Sequence, residues 1–338
     1  MAYRYYFSAL EKDARQVYGD LRRGLAAMAP SIRTLRLDVR VLSDILFCLR
    51  LDEPRLAFVK NVSFRAAREA DHVEMLPQYA FEPAKMRTIV QTIDARVKKI
   101  AAPAQGKTEE EKLRYVHDWI LDNVRYDKLY KNYAHEVIGP LCHGVGVCEG
   151  IAKTVKILLD ELGMESLTVI GEEDAEKHGI EGMRHAWNIV RVGEKLFHMD
   201  ATFDLSLSRC GVKRYDYYKL SDAQIFLDHR APVWRVPACG SGDGYYKNQR
   251  LTADSPEALA NLLARLGKKR GSVFVFQWTA ADGGFPMEEI ARTAGEFAAA
   301  KGKYARLSGN RTQRVALLTL ADIREENEGG GTYEQLPD

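Results

Sequence analysis

No stretch of this sequence is apolar for the roughly 20 residues that a membrane-crossing helix requires. The opening residues, Met1-Ala2-Tyr3-Arg4-Tyr5-Tyr6-Phe7, also lack the apolar run and small-residue cleavage site of a secretory signal. The expectation is a cytoplasmic protein, or an exported one if a leader has been removed. Charge of one sign is missing as well: 49 Lys and Arg against 47 Asp and Glu leave a net charge of +2, which argues against nucleic acid as the main partner. The short basic run Lys268-Lys269-Arg270 is read as a solvated helix end. Cysteine is sparse. The five (Cys48, Cys142, Cys148, Cys210 and Cys239) are odd in number and lack zinc spacing, so neither a disulfide framework nor a metal site is expected. Gly144-Val145-Gly146 is not followed by Gly-Lys-Ser/Thr and cannot be a phosphate loop. There is no internal repeat, and oligomeric state is left open.

What is present is ordinary for a globular protein: 46% apolar and 28% charged residues in a chain of 338, enough for two or three structural units. Residues 1–105 form an N-terminal mixed module: a helix over 8–28, an alternating strand over 34–41, a short helix over 42–51, weaker strands at 56–59 and 73–76, and a helix from Pro83 to about 100. The small-residue run 101–107 has the composition of a linker. The next unit, 106–239, opens on Thr108-Glu109-Glu110-Glu111, a capping box for a helix with Leu113, Val116, Trp119 and Ile120 on one face. After the 240–244 glycine cluster, residues 245–323 alternate helix and strand (255–266, 272–278, 286–300, 315–320), a small α/β module. The acidic, glycine-rich tail 324–338 is expected to be disordered.

The chemistry concentrates between residues 148 and 200. Cys148 ends a small-residue loop and opens a helical pattern (Ile151, Val155, Leu158, Leu159, Leu162) that stops at Gly163. At such a position, unpaired backbone N–H groups and the positive end of the helix dipole favour negative charge. A glycine-bounded charged stretch, 171–182, is read as a mobile loop. On either side of it the chain alternates as strands at 167–170, 186–192 and 195–199, the last two joined by the short turn Val192-Gly193-Glu194-Lys195, hence an antiparallel sheet against the helix. His185 opens the second strand and Asp200 follows the third. A nucleophilic cysteine needs a base, and the base needs an acceptor for its second nitrogen; Cys148, His185 and Asp200 supply these roles in order. His198 lies two residues before Asp200 and is placed beside it. Trp187 and Asn188 point to opposite faces of their strand, and Tyr126, His135 and His143 lie on the approach to Cys148, any of them able to complete an oxyanion site with the Cys148 N–H.

The segments Val147-Cys148-Glu149-Gly150-Ile151-Ala152, His185-Ala186-Trp187-Asn188-Ile189-Val190 and His198-Met199-Asp200-Ala201-Thr202-Phe203-Asp204 resemble the core of the transglutaminase-like superfamily, in particular its bacterial protease-like members. The likeness runs from about residue 109 to 204 and more loosely through 215–222 to Asp228-His229 and Pro237-Ala238-Cys239; Ile151 departs from the aromatic residue usual in relatives. The resemblance implies an α+β, papain-like fold with a central helix on an antiparallel sheet, and a Cys148-His185-Asp200 triad working through a thioester on protein or peptide substrates. Hydrolysis of an amide is the favoured reaction. Transfer to an amine by a transglutaminase is the alternative, as is a binding module that keeps the fold without the chemistry. No cofactor is implied, and no acidic loop is present for the calcium that some animal relatives use.

Overall fold

A helix that is buried all along its middle has to lie at the centre of its domain, and the segment after Cys148 is such a helix, with Lys153, Thr154 and Lys156 buried beside its apolar residues. The computed structural model describes residues 3–66, 70–172, 184–208, 211–242, 244–268, 271–281 and 283–322. Its N-terminal part contains helices α1 (Tyr5–Ala9), α2 (Lys12–Ala26) and α3 (Val39–Asp52), with an antiparallel sheet of β1 (Ile32–Leu35), β2 (Val59–Arg65) and β3 (His72–Tyr79) in the order β1-β3-β2. Next come α4 (Pro83–Ala101), α5 (Glu109–Asn123), the parallel two-residue strands β4 (Arg125–Tyr126) and β5 (Val145–Gly146), and α6 (Cys148–Glu161). An antiparallel sheet then forms in simple order from β6 (Ser166–Glu172), β7 (Arg184–Val192), β8 (Lys195–Met199) and β9 (Tyr218–Leu220), with α7 (Ala201–Leu207) between the last two.

Helix α6 is buried from Gly150 to Leu159, and Gly163 closes it in the left-handed region at φ +74°. Its Val155, Leu158, Leu159 and Leu162 share one core with Ile93 and Val97 of α4, Val116 and Ile120 of α5, and Phe197 of β8. Helices α1 to α3 pack on the same sheet, where Tyr6, Val17, Leu21, Ile45 and Leu49 form a second core with Leu167, Val169 and Ile189. Tyr6 adds a buried hydroxyl donated to the carbonyl of Thr168 at 2.6 Å. The whole is α+β and papain-like: a central helix against an antiparallel sheet.

The chain continues through α8 (Asp222–Ile225) and α9 (Tyr245–Asn248) into β10 (Thr252–Ala253), α10 (Pro256–Leu266), β11 (Val273–Trp278), α11 (Met287–Ala299), β12 (Lys303–Asn310) and β13 (Val315–Asp322). These last strands make a sheet in the order β10-β11-β13-β12, with its own core of Leu259, Leu263, Phe274, Phe276, Ile290 and Leu318.

Several local expectations hold. Thr108 and Glu111 form a reciprocal capping box, the Glu111 N–H on Thr108 Oγ1 at 3.3 Å and the Thr108 N–H on Glu111 Oε2 at 3.0 Å. Strands β7 and β8 close tightly, pairing Val192 with Lys195 around Gly193 at φ +58°. Others are corrected. The single strand expected over 34–41 ends at Leu35, because the Asp38 side chain accepts the Arg40 N–H at 2.8 Å and starts α3 at Val39. The helix expected over 8–28 is two helices, broken where Leu10 is extended (ψ 152°). The connection at 101–107 is not a loose linker, since Ala101 and Ala104 are fully buried. Strand β12 was not expected; it is an edge strand with only Ala305 and Leu307 packed on the core. Most of the 171–182 loop and the tail lie outside the described residues.

Candidate active site

Cys148 is the first residue of α6. The helix begins there because Val147 is extended (φ −91°, ψ 175°) and ties its N–H to the carbonyl of Ala134 at 3.0 Å. The same carbonyl lies so close to Gly150 that a Cβ there would sit 2.1 Å from it, so the 132–135 turn wraps the first turn of the helix. Within α6 the leading N–H groups have no acceptor. The half-buried Cys148 thiol lies 3.8 Å from the carbonyl of Arg184, which brings it against the start of β7.

The next residue of that strand is His185. Its Nε2–H donates to Asp200 Oδ2 at 2.5 Å, and the Cys148 thiol is near enough to act on the ring. Burial works to lower the His185 pKa, but the Asp200 carboxylate and then the thiol prevail and raise it to about 10. Asp200 ends the sheet and caps α7: its Oδ1 accepts the N–H groups of Thr202 at 2.8 Å and Phe203 at 3.1 Å. Burial alone would raise the Asp200 pKa; His185 and His229 together bring it well below the usual carboxylate range. Phe203 closes the apolar side, its ring centroid 4.8 Å from that of His185.

The description of the transglutaminase-like superfamily core matches residues 94–201, a span that contains all three of these side chains. This segment is a transglutaminase-like core. No curated protein matches the chain significantly. Among solved structures, a TGase is 14% identical over 51% of this chain and 50% of its own, with a TM-score of 0.29. A proposed cysteine protease from Cytophaga hutchinsonii is 16% identical over 42% of this chain and 61% of its own (TM-score 0.28). A proposed protease from Parabacteroides distasonis is 15% identical over 43% and 37% (TM-score 0.24). The chain thus spans about half the length of the first of these structures.

In the transglutaminase-like core, Cys148 opens into a cleft of about 590 Å³. Tyr126 and His135 line it; His135 Nδ1 lies 3.7 Å from Oε2 of Glu149, also in the cleft. His143 is elsewhere, packed on the Tyr133 ring at 4.6 Å, and so is not among the residues around the thiol. Asn188 is a packing residue, its amide donating to the carbonyls of Ala152 and Leu167 at 3.0 and 3.4 Å and so joining sheet to helix. His198 does not touch Asp200. It accepts the indole N–H of Trp187 on Nδ1 at 2.9 Å and donates from Nε2 to Asp222 at 2.7 Å, because Asp200 has already left the strand to cap α7. Burial holds its pKa down.

Two groups of side chains were missed. His229 shares Asp200 Oδ2 with His185, at 2.9 Å; the only signal for it was the loose extension of the likeness to Asp228-His229. Phe47, Arg50 and Leu51 of α3 supply one wall of the cleft, a contact across 100 residues with no local pattern.

Among the described residues, two clusters have metal-ligating atoms close together, His185-Asp200-His229 and His198-Asp222-Cys239. The chemistry of the donors suits neither. In the first, the His185 nitrogen and Asp200 oxygen are 2.5 Å apart, closer than the roughly 3.3 Å that two ligands keep across a tetrahedral zinc with bonds of 2.0–2.1 Å. In the second, a metal on His198 Nε2 would leave the proton of a neutral ring on Nδ1, facing the Trp187 N–H donor.

Proposed function

We propose that this chain carries out cysteine-dependent acyl chemistry on the amide of a protein or peptide, with Cys148 as nucleophile, His185 as base and Asp200 as the group that orients His185. The observation that carries the reading is the place of His185: its Nε2 lies 2.5 Å from Asp200, and the Cys148 thiol, 3.8 Å from the carbonyl of the preceding Arg184, is close enough to raise its pKa. The thiolate attacks the carbonyl carbon. His185 gives its proton to the departing amine, and a thioester remains on Cys148. The oxygen of the tetrahedral intermediate falls toward the leading N–H groups of α6, where the helix dipole adds stabilisation.

Hydrolysis is the favoured fate of the thioester. The cleft is open to solvent, so water is the nucleophile at hand: His185 takes a proton from water, hydroxide adds to the thioester, and the acid leaves Cys148 as the thiolate. An amine in place of water would make the same enzyme a transglutaminase. The superfamily contains both kinds of cysteine-dependent enzyme.

Two measurements test the proposal. Iodoacetamide labelling of the native protein, read by mass spectrometry at each cysteine, should show Cys148 reacting fastest and losing that advantage in His185→Ala. Peptide amides should then release ammonia or amine, and an added primary amine should divert product only if transfer competes with water. A Cys148 no more reactive than Cys142, and unaffected by His185→Ala, would replace this proposal with a binding role for the fold.

A further inference from the structure

Asp200 has no acceptor site to spare. A carboxylate offers about four lone-pair positions. Here Oδ1 takes two backbone N–H groups and Oδ2 takes two imidazoles, His185 and His229. His229 is not a second base, since both its nitrogens are engaged away from the thiol: Nε2 on Asp200 Oδ2 at 2.9 Å and Nδ1 on Asp228 Oδ1 at 2.8 Å. Its side chain is only 1% exposed. It is wedged among rings, with centroids 5.0 Å from Trp187 and 4.7 Å from Phe203.

The chain of contacts goes on from there. The hydroxyl of Tyr217 donates to the other oxygen of Asp228 at 2.5 Å. The same hydroxyl accepts from the amide of Asn310 at 3.2 Å, and the carbonyl oxygen of that amide is pinned by the Gln313 N–H at 3.1 Å. Asn310 and Gln313 belong to the turn between β12 and β13. One uninterrupted path therefore runs from the edge of the C-terminal sheet through Tyr217, Asp228 and His229 to the carboxylate that orients His185.

We infer that His229 is a positioning residue for the proposed triad, and that the C-terminal α/β unit holds it in place through Asn310, Tyr217 and Asp228. Filling the second acceptor site on Oδ2 prevents the carboxylate from turning, and so keeps the His185 ring aimed at Cys148. This inference rests on the triad reading above. It gives the C-terminal unit a part in the chemistry without any contact with substrate.

The test uses the full chain and needs no substrate. The second-order rate of Cys148 carbamidomethylation is measured from pH 5 to 10, with Cys142 as internal reference and circular dichroism to check folding. His229→Leu should slow Cys148 by about tenfold, the lower end of what loss of such an outer partner does at other sites, and should move the pH profile toward that of His185→Ala. His229→Gln keeps an amide donor for Asp200 and should recover much of the rate. Tyr217→Phe removes one hydroxyl and keeps the ring, and should produce a smaller change in the same direction. A folded His229→Leu with the native rate and profile overturns the inference. If His229→Leu fails to fold, a native profile in Tyr217→Phe overturns it instead. A wild-type Cys148 that is unreactive and indifferent to His185→Ala overturns the triad reading itself, and is seen before any variant at 229 is compared.

Discussion

The indole N–H of Trp187 lies 2.9 Å from Nδ1 of His198, and that contact separates the roles of the two histidines flanking this sheet. An indole can only donate, so His198 Nδ1 must be the bare nitrogen and Nε2 the protonated one. The ring is neutral and committed at both ends. Removing His185 should therefore slow Cys148 alkylation by at least about 100-fold, the usual scale of a general base. His198→Leu should leave that rate within about threefold. It should instead lower the unfolding free energy by about 1–3 kcal/mol, because the buried Trp187 N–H loses its acceptor. Alkylation kinetics and urea titration of the two variants separate the cases.

The pairing of His185 with Asp200 predicts a pH signature in stability. His185 keeps its proton to about 10 in the folded chain, against about 6.5 in an unfolded one. Its contribution is thus fully present below about pH 6.5 and is lost as the pH rises through the folded value. Asp200 is held low, so its contribution is present above about pH 4 and is lost on acidification. The stability gap between the native protein and Asp200→Asn should be widest from about pH 4 to 6.5 and should narrow toward pH 10. The substituted amide still caps Thr202 and Phe203, so the start of α7 is not the variable. A gap that widens between pH 7 and 9 in urea denaturation would contradict the pairing.

Gly150→Ala tests how tightly the nucleophile is held. The new methyl would meet the backbone carbonyl of Ala134, which cannot swing aside as a side chain could. Overpacking of this kind destabilises by about 1–3 kcal/mol. The shift falls on the first turn of α6, so Cys148 alkylation should slow along with the loss of stability. A variant with native melting temperature and labelling rate would show that the turn at 132–135 gives way freely.

Lys153 carries a different load. Its ammonium is fully buried between Glu136 at 2.9 Å and Glu149 at 2.8 Å, the latter next to the nucleophile. Lys153→Met would leave the two carboxylates facing each other, and breaking a buried pair this way lowers stability by about 3–5 kcal/mol. The partly exposed glutamates reduce the loss, so a value at the lower end is expected from urea titration. Lys153→Met together with Glu136→Gln should recover part of it.

Much of the candidate site was legible in the sequence because its parts lie in short local segments, and because those segments resemble a known family. A run of small residues before a helical repeat, and two strands with polar residues at their ends, bring Cys148, His185 and Asp200 forward one at a time. The structure sets them side by side. Capping at Thr108 and the turn at Gly193 were legible for the same reason, each depending on neighbours three or four residues away. What was hidden depended on distant partners. Nothing near His198 says that Trp187 occupies its nitrogen, and nothing near His229 says that it shares an oxygen with His185. The start of α3 was hidden by a competing local pattern: residues 34–41 alternate like a strand, and the cap at Asp38 overrides them.

The cleft has two owners. Its floor, with the thiol, belongs to the segment matched by the superfamily; one wall, with Phe47, Arg50 and Leu51, belongs to a helix that ends 42 residues before that segment begins at residue 94. On the proposed reading, the reactive thiol and part of the surface a substrate would meet are thus supplied by two different stretches of the chain. A change at positions 47–51 would therefore reshape the wall of the cleft without touching Cys148, His185 or Asp200.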